Sequence, residues 1–233
     1  MDTIELQRIA LIENDNWWYR ERRAILSREL LRFSVPGDAV DIGAGAGGNS
    51  RELLGHGWRA TAIDLSPAAV ALARAHGVEA YEGDARYLPL PPCRYDLALA
   101  MDVLEHIEDD GRAAAEITRV LRPGGTALVS VPCDMALWSA HDVSLGRVRR
   151  YTRRALVELI EGAGLLLDRV WSRGVLLRPF LHHLRHRTAH CEDLAPLHPF
   201  INETLRLSAA VERHLPTRSW PGTYLFARAR RPG

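Results

Sequence analysis

The stretch from Val40 to Asn49 constrains the fold more than any other part of the chain. It has an apolar strand that ends at an acidic residue, then a glycine-rich turn, then the start of a helix at about Asn49. Glycine carries no Cβ, so a turn of this kind lets the backbone pass very close to a bound nucleotide-like ligand. The stretch therefore predicts a strand-turn-helix unit with a ligand site at the turn.

Two glycine patterns overlap in this turn. Gly43-x-Gly45-x-x-Gly48 fits the dinucleotide fingerprint, whereas Asp41-x-Gly43-x-Gly45-x-Gly47 fits a loop that binds S-adenosylmethionine (SAM). The first pattern predicts hydride transfer and the second predicts methyl transfer. The glycines alone do not separate the two, so the rest of the chain must decide.

Composition limits the classes of protein that fit. At 233 residues and 47% hydrophobic content, we expect one domain with additions and a buried core. All 30 basic residues are arginine and the net charge is +1, so no overall field attracts nucleic acid or anionic lipid. Cys93, Cys133 and Cys191 are too few and too scattered for a disulfide framework. With no signal peptide pattern at residues 1–10 and no run of about 18 apolar residues, we expect a cytoplasmic protein without a membrane span.

The middle of the chain alternates strands and helices. The predicted strands are 38–42, 59–63, 78–81, 95–101, 126–131, 165–171 and 224–229, and the predicted helices between them are 50–55, 66–75, 110–121 and 152–163. Repeated strand-helix units favour an open α/β sheet covered by helices. We expect one domain with four parts: a helical lid at 1–33, a core at 34–173, a helical insertion at 174–216, and a last strand and tail at 217–233.

Polar residues follow several of the predicted strands, and ligands of open α/β sheets bind at those carboxyl ends. Asp64 ends the second strand, 21 positions after Gly43, where a carboxylate can accept both hydroxyls of a ribose. Asp84 follows the third strand, where it could take an adenine amino group. Met101 and its neighbours follow the fourth strand and could enclose a purine ring.

Together these segments resemble the class I SAM-dependent methyltransferases, and in particular the group that acts on small molecules. The matching motifs are Asp41 to Gly47, Asp64 to Pro67, Gly83 to Ala85, Asp102 to His106, and Leu121 to Gly125. The resemblance implies a Rossmann-like sheet of seven strands with the last one antiparallel, SAM as cofactor and S-adenosylhomocysteine as product. It implies SAM contacts from Asp41, Gly43, Ala44, Gly45, Asp64, Leu65, Asp84, Ala85, Met101 and His106.

An aromatic-then-arginine segment before the first strand matches a subgroup of the same family. Trp18 and Arg22 are four residues apart, so they share a helix face. The resemblance implies a lid, in which Trp18 and Tyr19 cover the sulfonium through cation–π attraction and Arg22 meets the SAM carboxylate. The alternative is an amphipathic helix that only packs its aromatic side chains on the sheet.

A second segment of that subgroup follows the fifth strand. It matches the pattern Trp-x-x-His-Asp-x-x-x-Gly-His-x-Arg-Arg-Tyr, except that Arg147 replaces the second histidine. We expect His141 to act as a base or polar clamp for an acceptor O–H or N–H. The alternative is a structural His-Asp pair that caps the loop. The remaining residues expected to contact the acceptor are Trp138, Asp142, Arg150 and Tyr151.

The late insertion is rich in histidine. His182, His186 and His190 are spaced along one helix face, near His183 and Cys191. We expect a polar helix beside the acceptor pocket rather than a metal site, because carboxylate support is sparse. Five arginines between Arg147 and Arg154 form the one dense basic cluster, but the overall charge is near zero, so we expect no nucleic-acid partner.

The leading hypothesis is an enzyme that transfers a methyl group from SAM to a small organic acceptor, such as a biosynthetic intermediate. The motifs leave open whether the acceptor atom is oxygen, nitrogen or carbon. Three alternatives remain: a methyltransferase that acts on protein or RNA, a nicotinamide-dependent oxidoreductase, and a non-catalytic SAM-binding partner of another subunit. The oxidoreductase alternative explains neither Asp41 nor the Gly83-Asp84-Ala85 turn.

Overall fold

The structure is a computed structural model, and it describes residues 13, 15–179, 198–216 and 219–233. The histidine-rich stretch from His182 to Cys191 and most of residues 1–14 lie outside the described residues. The helices are α1 (Trp17–Leu30), α2 (Gly48–Gly55), α3 (Pro67–Ala75), α4 (Asp110–Val120), α5 (Ala140–Ser144), α6 (Arg153–Gly162) and α7 (Pro199–Glu212). The strands are β1 (Asp38–Ile42), β2 (Arg59–Asp64), β3 (Glu79–Glu82), β4 (Tyr95–Met101), β5 (Leu121–Pro132), β6 (Leu166–Arg173) and β7 (Tyr224–Arg230).

The strands form one seven-stranded sheet in the order β3-β2-β1-β4-β5-β7-β6. Strands β1 to β5 are parallel, and β7 runs antiparallel between β5 and β6. This topology confirms the predicted fold class, including the antiparallel last strand. The strand order reverses at β1, because β2 and β3 lie on one side of it and β4 and β5 on the other. Open α/β sheets bind their ligands at such a reversal.

Strand β5 begins earlier than predicted. Leu121 already pairs with Tyr95, and the ladder resumes at Thr126 opposite Leu97 after a shift in register. The intervening Arg-Pro-Gly-Gly turn was expected to separate helix from strand. Because the residue before it is already extended and paired, α4 ends at Val120 instead.

The core has two layers because helices cover both faces of the sheet. All five residues of β1 are buried, and small residues such as Ala98 and Ala100 in β4 let the helices approach closely. One apolar cluster includes Ile117 of α4, and the other includes Leu26 of α1 and Leu53 of α2. The sheet is therefore a rigid support for the loops at its edges.

The side chain of the preceding residue caps two of the predicted helices. The Ser66 hydroxyl accepts a hydrogen bond from the Ala69 amide at 3.4 Å, and Pro67 occupies the first helical position of α3. The Thr152 hydroxyl accepts one from the Ala155 amide at 3.1 Å at the start of α6. These caps fix where the chain leaves β2 and where it leaves the loop after β5.

Helix α1 is joined to α7, the described helix of the late insertion. The Trp17 amide donates to Asn202 Oδ1 at 2.8 Å, and Asn202 Nδ2 donates to the Asp15 carbonyl at 2.8 Å. One turn further along, Arg213 lies 3.5 Å from Glu21. Through these contacts α1 and α7 support each other.

Within the described residues, no helix is long and apolar enough to cross a membrane. The same residues contain no group of three His, Cys, Asp or Glu side chains placed to hold a metal ion. An open cavity of about 480 Å³ lies at the amino-terminal edge of the parallel strands, lined by Phe33, Arg59 and Arg122 among others. It is at the opposite edge of the sheet from the glycine-rich turn, so it is not part of the site described below.

Candidate cofactor and acceptor site

The glycine-rich turn between β1 and α2 requires glycine for two different reasons. Gly43, Gly45 and Gly47 all have positive φ, at 69°, 54° and 85°. A Cβ on Gly43 would lie only 2.3 Å from Val103 Cγ2, whereas a Cβ on Gly45 would meet nothing within 4 Å. Gly43 is therefore needed for close packing as well as conformation, and the space beside Gly45 is open.

Asp41 lies beneath this turn and is 1% exposed. Its Oδ2 accepts a hydrogen bond from the Ser50 hydroxyl at 2.7 Å, while its Oδ1 has no hydrogen-bond partner among the described residues. Burial raises the pKa of Asp41 to about 6, and the bond from Ser50 only partly opposes that shift. Asp41 thus ties α2 to β1 and keeps one oxygen without a partner.

Asp64, at the end of β2, cross-links two loops. Its Oδ2 accepts from the Gly45 amide at 2.9 Å, and its Oδ1 accepts from the Ser66 amide at 2.9 Å. Each carboxylate oxygen has a second lone pair. The predicted ribose-binding carboxylate is therefore oriented by the glycine-rich turn and can still accept two more hydrogen bonds.

The residues predicted to contact adenine lie on the neighbouring strand end. Asp84 pairs with Arg86, whose Nη2 lies 2.6 Å from Asp84 Oδ2, and this hydrogen bond lowers the pKa of Asp84. Ala85 packs on the core, and Leu65 is 67% exposed beside Asp64. The structure brings these residues to the same edge of the sheet. An adenine amino group that donates to the Asp84 carboxylate would do so beside the existing bonds from Arg86.

The arginine of the predicted lid, Arg22, reaches the end of β4. Arg22 Nη2 donates to the Met101 carbonyl at 3.0 Å, and Arg22 Nη1 lies 3.0 Å from Asp102 Oδ2. Asp102 also accepts from the Ser130 hydroxyl at 2.8 Å. Arg22 Nε is buried and has no hydrogen-bond partner in the described part of the chain. The sequence did not indicate this ion pair, and the free Nε keeps Arg22 available to an anion.

One of the predicted lid aromatics, Trp18, contacts a residue that the sequence analysis missed. The Trp18 ring is 4.1 Å from the Tyr224 ring, centroid to centroid, and Trp17 contacts Trp18 edge-on at 5.7 Å. Burial raises the pKa of Tyr19 to about 12, so it remains neutral. Tyr224 begins β7, and only the antiparallel direction of that strand brings it to the carboxyl edge. No motif marked it.

The predicted acceptor residues fall into two groups. Asp142 is fully buried, and its Oδ1 accepts from Arg147 Nη1 and from Arg150 Nε, both at 3.0 Å. The Tyr151 hydroxyl is also enclosed, 2.6 Å from Asp110 Oδ2. Trp138 and His141 are half-buried by contrast. The loop is thus held by the buried contacts of Asp142, Arg150 and Tyr151. Solvent can still reach Trp138 and His141.

A buried glutamate lies between the two halves of the site. Glu105 has no exposed surface, and neither of its carboxylate oxygens has a hydrogen-bond partner within the described residues. Arg147 Nε is 3.7 Å from Glu105 Oε1, too far for a hydrogen bond. Burial, followed by repulsion from Asp102, raises the pKa of Glu105 to about 8 despite that arginine. The surroundings of Glu105 therefore favour its protonated form.

His106, another predicted cofactor residue, turns toward the acceptor loop. Its Nδ1 is 3.2 Å from the Gly146 carbonyl, and burial lowers its pKa, which favours the neutral imidazole. Through this contact the end of β4 is held against the loop after β5.

Comparisons with known proteins agree with this geometry. Residues 40–129 match the model of a methyltransferase domain family. Over 161 residues the chain is 31% identical to a protein of Mycolicibacterium smegmatis named as a probable S-adenosylmethionine-dependent methyltransferase, covering 67% of this chain and 62% of that protein. Over 138 residues it is 32% identical to the malonyl-[acyl-carrier protein] O-methyltransferase of Serratia marcescens, covering 55% of this chain and 54% of that protein.

The chain thus spans little more than half the length of these curated relatives. A solved structure, the S-adenosylmethionine dependent methyltransferase of Mesorhizobium loti, shares the fold with a TM-score of 0.63 at 21% identity, covering 94% of this chain and all of that one. The matched segment contains the glycine-rich turn, Asp64 and Asp84, which the structure brings to one sheet edge. The chain belongs to the class I S-adenosylmethionine-dependent methyltransferases.

Proposed function

We propose that the protein transfers a methyl group from SAM to a small organic acceptor, such as an intermediate of biosynthesis. The observation that carries this proposal is the position of the Asp64 carboxylate, which is bonded to the Gly45 amide and retains two free lone pairs. That arrangement suits a ribose lying over the glycine-rich turn. The space beside Gly45 is open, because a Cβ built there would meet nothing within 4 Å.

The other residues of the edge fit the remaining parts of SAM. Arg22, with its free Nε, suits the carboxylate, and Asp84 with Ala85 suits the adenine. Trp18 and Tyr19 cover the place where a cationic sulfonium would be stabilised by aromatic faces. When bound, SAM supplies an activated methyl group. The residues of the chain align the acceptor with it and exclude water.

The acceptor side is formed by the loop after β5. We assign contact with the acceptor to His141 and Trp138, because these side chains remain partly exposed. A neutral imidazole at His141 can take a proton from an acceptor O–H or N–H. Asp142, Arg150 and Tyr151 are positioning residues in this proposal, since they hold the loop through buried contacts.

Calorimetric titration tests the cofactor assignment. SAM and S-adenosylhomocysteine should bind, NAD should not, and Asp64→Asn should weaken both of the expected ligands. Replacement of the exposed Glu79 by Gln is the control, because this side chain lies on β3 and accepts a hydrogen bond from Tyr81. Binding of NAD without binding of SAM would favour the oxidoreductase alternative and reject the proposal.

A labelling experiment tests the acceptor class. The protein is incubated with SAM that carries a radioactive methyl group and, in separate reactions, with fractions of small metabolites, protein and RNA. The proposal predicts label in the small-metabolite fraction. Label confined to protein or RNA would show that the acceptor is a macromolecule.

A further inference from the structure

Tyr224 lies between the lid and the acceptor loop. One face of its ring contacts Trp18 at 4.1 Å between centroids, and its hydroxyl accepts a hydrogen bond from Arg147 Nη2 at 2.9 Å. The residue is half-buried and lies beside Pro132 and Arg173, at the carboxyl edge where the site is. It is thus the point at which the aromatic lid meets the loop that carries His141.

The hydroxyl of Tyr224 is an unused hydrogen-bond donor. A phenol has one O–H donor as well as acceptor capacity, and Arg147 uses only the acceptor side. Within the described ranges, no group accepts the Tyr224 proton. Arg147 donates to the hydroxyl oxygen of Tyr224, so the hydroxyl hydrogen points away from the guanidinium.

Several charged groups lie near this hydroxyl. Asp142 faces two guanidinium groups, those of Arg147 and Arg150. Burial raises the pKa of the Glu105 carboxyl and so favours its neutral form. Asp102 is paired separately with Arg22. An anion placed against the Tyr224 hydroxyl would therefore lie close to the guanidinium of Arg147.

We propose that Tyr224 is an acceptor-binding residue whose hydroxyl, held by Arg147, donates a hydrogen bond to an anionic acceptor oxygen, a phenolate or a carboxylate. The inference rests on the proposed methyltransferase function and names the acceptor class for the same site. Arg147 is a positioning residue that acts through Tyr224. An acceptor with O–H first loses its proton to His141, whereas a carboxylate arrives already ionised.

The transfer step then balances without further proton movement. The acceptor oxygen supplies the electron pair of the new O–C bond. The C–S bond of the sulfonium donor breaks, and its electron pair stays on sulfur, so an anion and a cation become two neutral groups. A partly enclosed site that excludes water favours such loss of charge.

The test measures binding of 4-nitrophenol to the complex with S-adenosylhomocysteine, because the visible absorbance of this probe distinguishes phenolate from phenol. The wild-type complex should bind the phenolate in preference to the neutral phenol. It should also bind it at least about tenfold more tightly than 4-nitroaniline, a neutral probe of the same shape. Benzoate should compete with the phenolate.

Tyr224→Phe keeps the ring against Trp18 and removes only the hydroxyl. It should weaken phenolate binding about tenfold or more, while affinity for S-adenosylhomocysteine and the melting temperature stay near wild type. Tyr81→Phe, at an exposed tyrosine on β3, is the matched control and should change nothing.

Three results would overturn the proposal: no phenolate or benzoate binding by the wild-type complex, equal binding of 4-nitroaniline, or equal phenolate binding by Tyr224→Phe. A Tyr224→Phe protein that unfolds or loses S-adenosylhomocysteine would also contradict it, because the hydroxyl would then serve the fold or the cofactor. Failure of wild type to bind S-adenosylhomocysteine would instead reject the proposed function itself.

Discussion

Among single residues, Asp64 has two roles that one substitution would remove together. It orients the glycine-rich turn through the Gly45 amide and the next helix start through the Ser66 amide. In the proposed function it also accepts the ribose hydroxyls. A residue of this kind affects cofactor binding both directly and through the shape of the turn.

Asp64→Ala should therefore weaken SAM binding by ~2–4 kcal/mol, counting hydrogen bonds to a charged group with partial replacement by water. Calorimetry gives the dissociation constant. The dissociation constant of Asp64→Asn should fall between those of wild type and Asp64→Ala, because asparagine keeps an acceptor oxygen but not the charge. An unchanged dissociation constant for Asp64→Ala would contradict the assigned role.

Gly43→Ala should destabilise the fold by ~2–4 kcal/mol. The new Cβ would overlap Val103 and the backbone would keep a left-handed φ of 69°. Thermal unfolding measures the change. Adding Val103→Ala should recover part of the loss by removing the overlap, whereas Gly55→Ala, with nothing within 4 Å of its Cβ, should be close to neutral. Equal melting temperatures for Gly43→Ala and wild type would rule out this account.

Helix α1 is the element whose behaviour depends most on the cofactor. The second half of α1 packs Ile25, Leu26 and Leu30 in the core. The first half meets the sheet through Arg22 and Trp18, and α7 through Trp17. Because these contacts of the first half are polar or partly exposed, we expect this half to open locally and to be stabilised when SAM contacts it.

Limited proteolysis with an arginine-specific protease tests this lid. Cleavage between Arg20 and Arg23 should slow about a hundredfold at a SAM concentration near 100 times its dissociation constant, if cleavage requires opening. Cleavage after Arg154, whose side chain is 87% exposed on α6, should not change. Equal rates at both sites with and without SAM would show that α1 is a fixed part of the fold.

Most elements could be predicted from the sequence because local signals and the fold agree. The Ser66-Pro67 start of α3 and the glycine-rich turn are such cases, since caps and positive φ depend on neighbouring residues. Tyr224 could not be predicted, because its place in the site depends on the direction of β7 and on contacts about 200 positions away with Trp18. The Arg22–Asp102 pair was missed for the same reason: its partners meet only in the folded sheet.

For the whole molecule, Glu105 links stability to pH. Its pKa is raised to about 8 in the fold from an ordinary value near 4 in the unfolded chain, so the folded state binds the proton more tightly. Its contribution is fully present below pH ~4 and is lost as pH rises through about 8. Asp41, with a pKa raised to about 6, acts in the same direction at lower pH.

Glu105→Gln should therefore make the melting temperature less sensitive to pH. Between pH 6 and 9 the wild-type melting temperature should fall further than that of the variant, because only the wild type must ionise a buried carboxyl. Scanning calorimetry at several pH values gives both slopes, and Glu79→Gln serves as an exposed control. Parallel slopes for wild type and Glu105→Gln would mean that the carboxyl does not titrate in this range.

The position of β7 also sets an order of assembly. Both β5 and β6 bond to β7, and the sheet order places it between them. During synthesis on the ribosome, β6 emerges before β7, the strand with which it pairs. The edge of the sheet at β5 therefore stays unpaired until β7 has been synthesised. Because Tyr224 starts β7, the aromatic contact that holds Trp18 forms at that same late moment. Completion of the sheet and formation of the Trp18–Tyr224 contact should thus coincide, and a chain stalled before residue 224 would have neither.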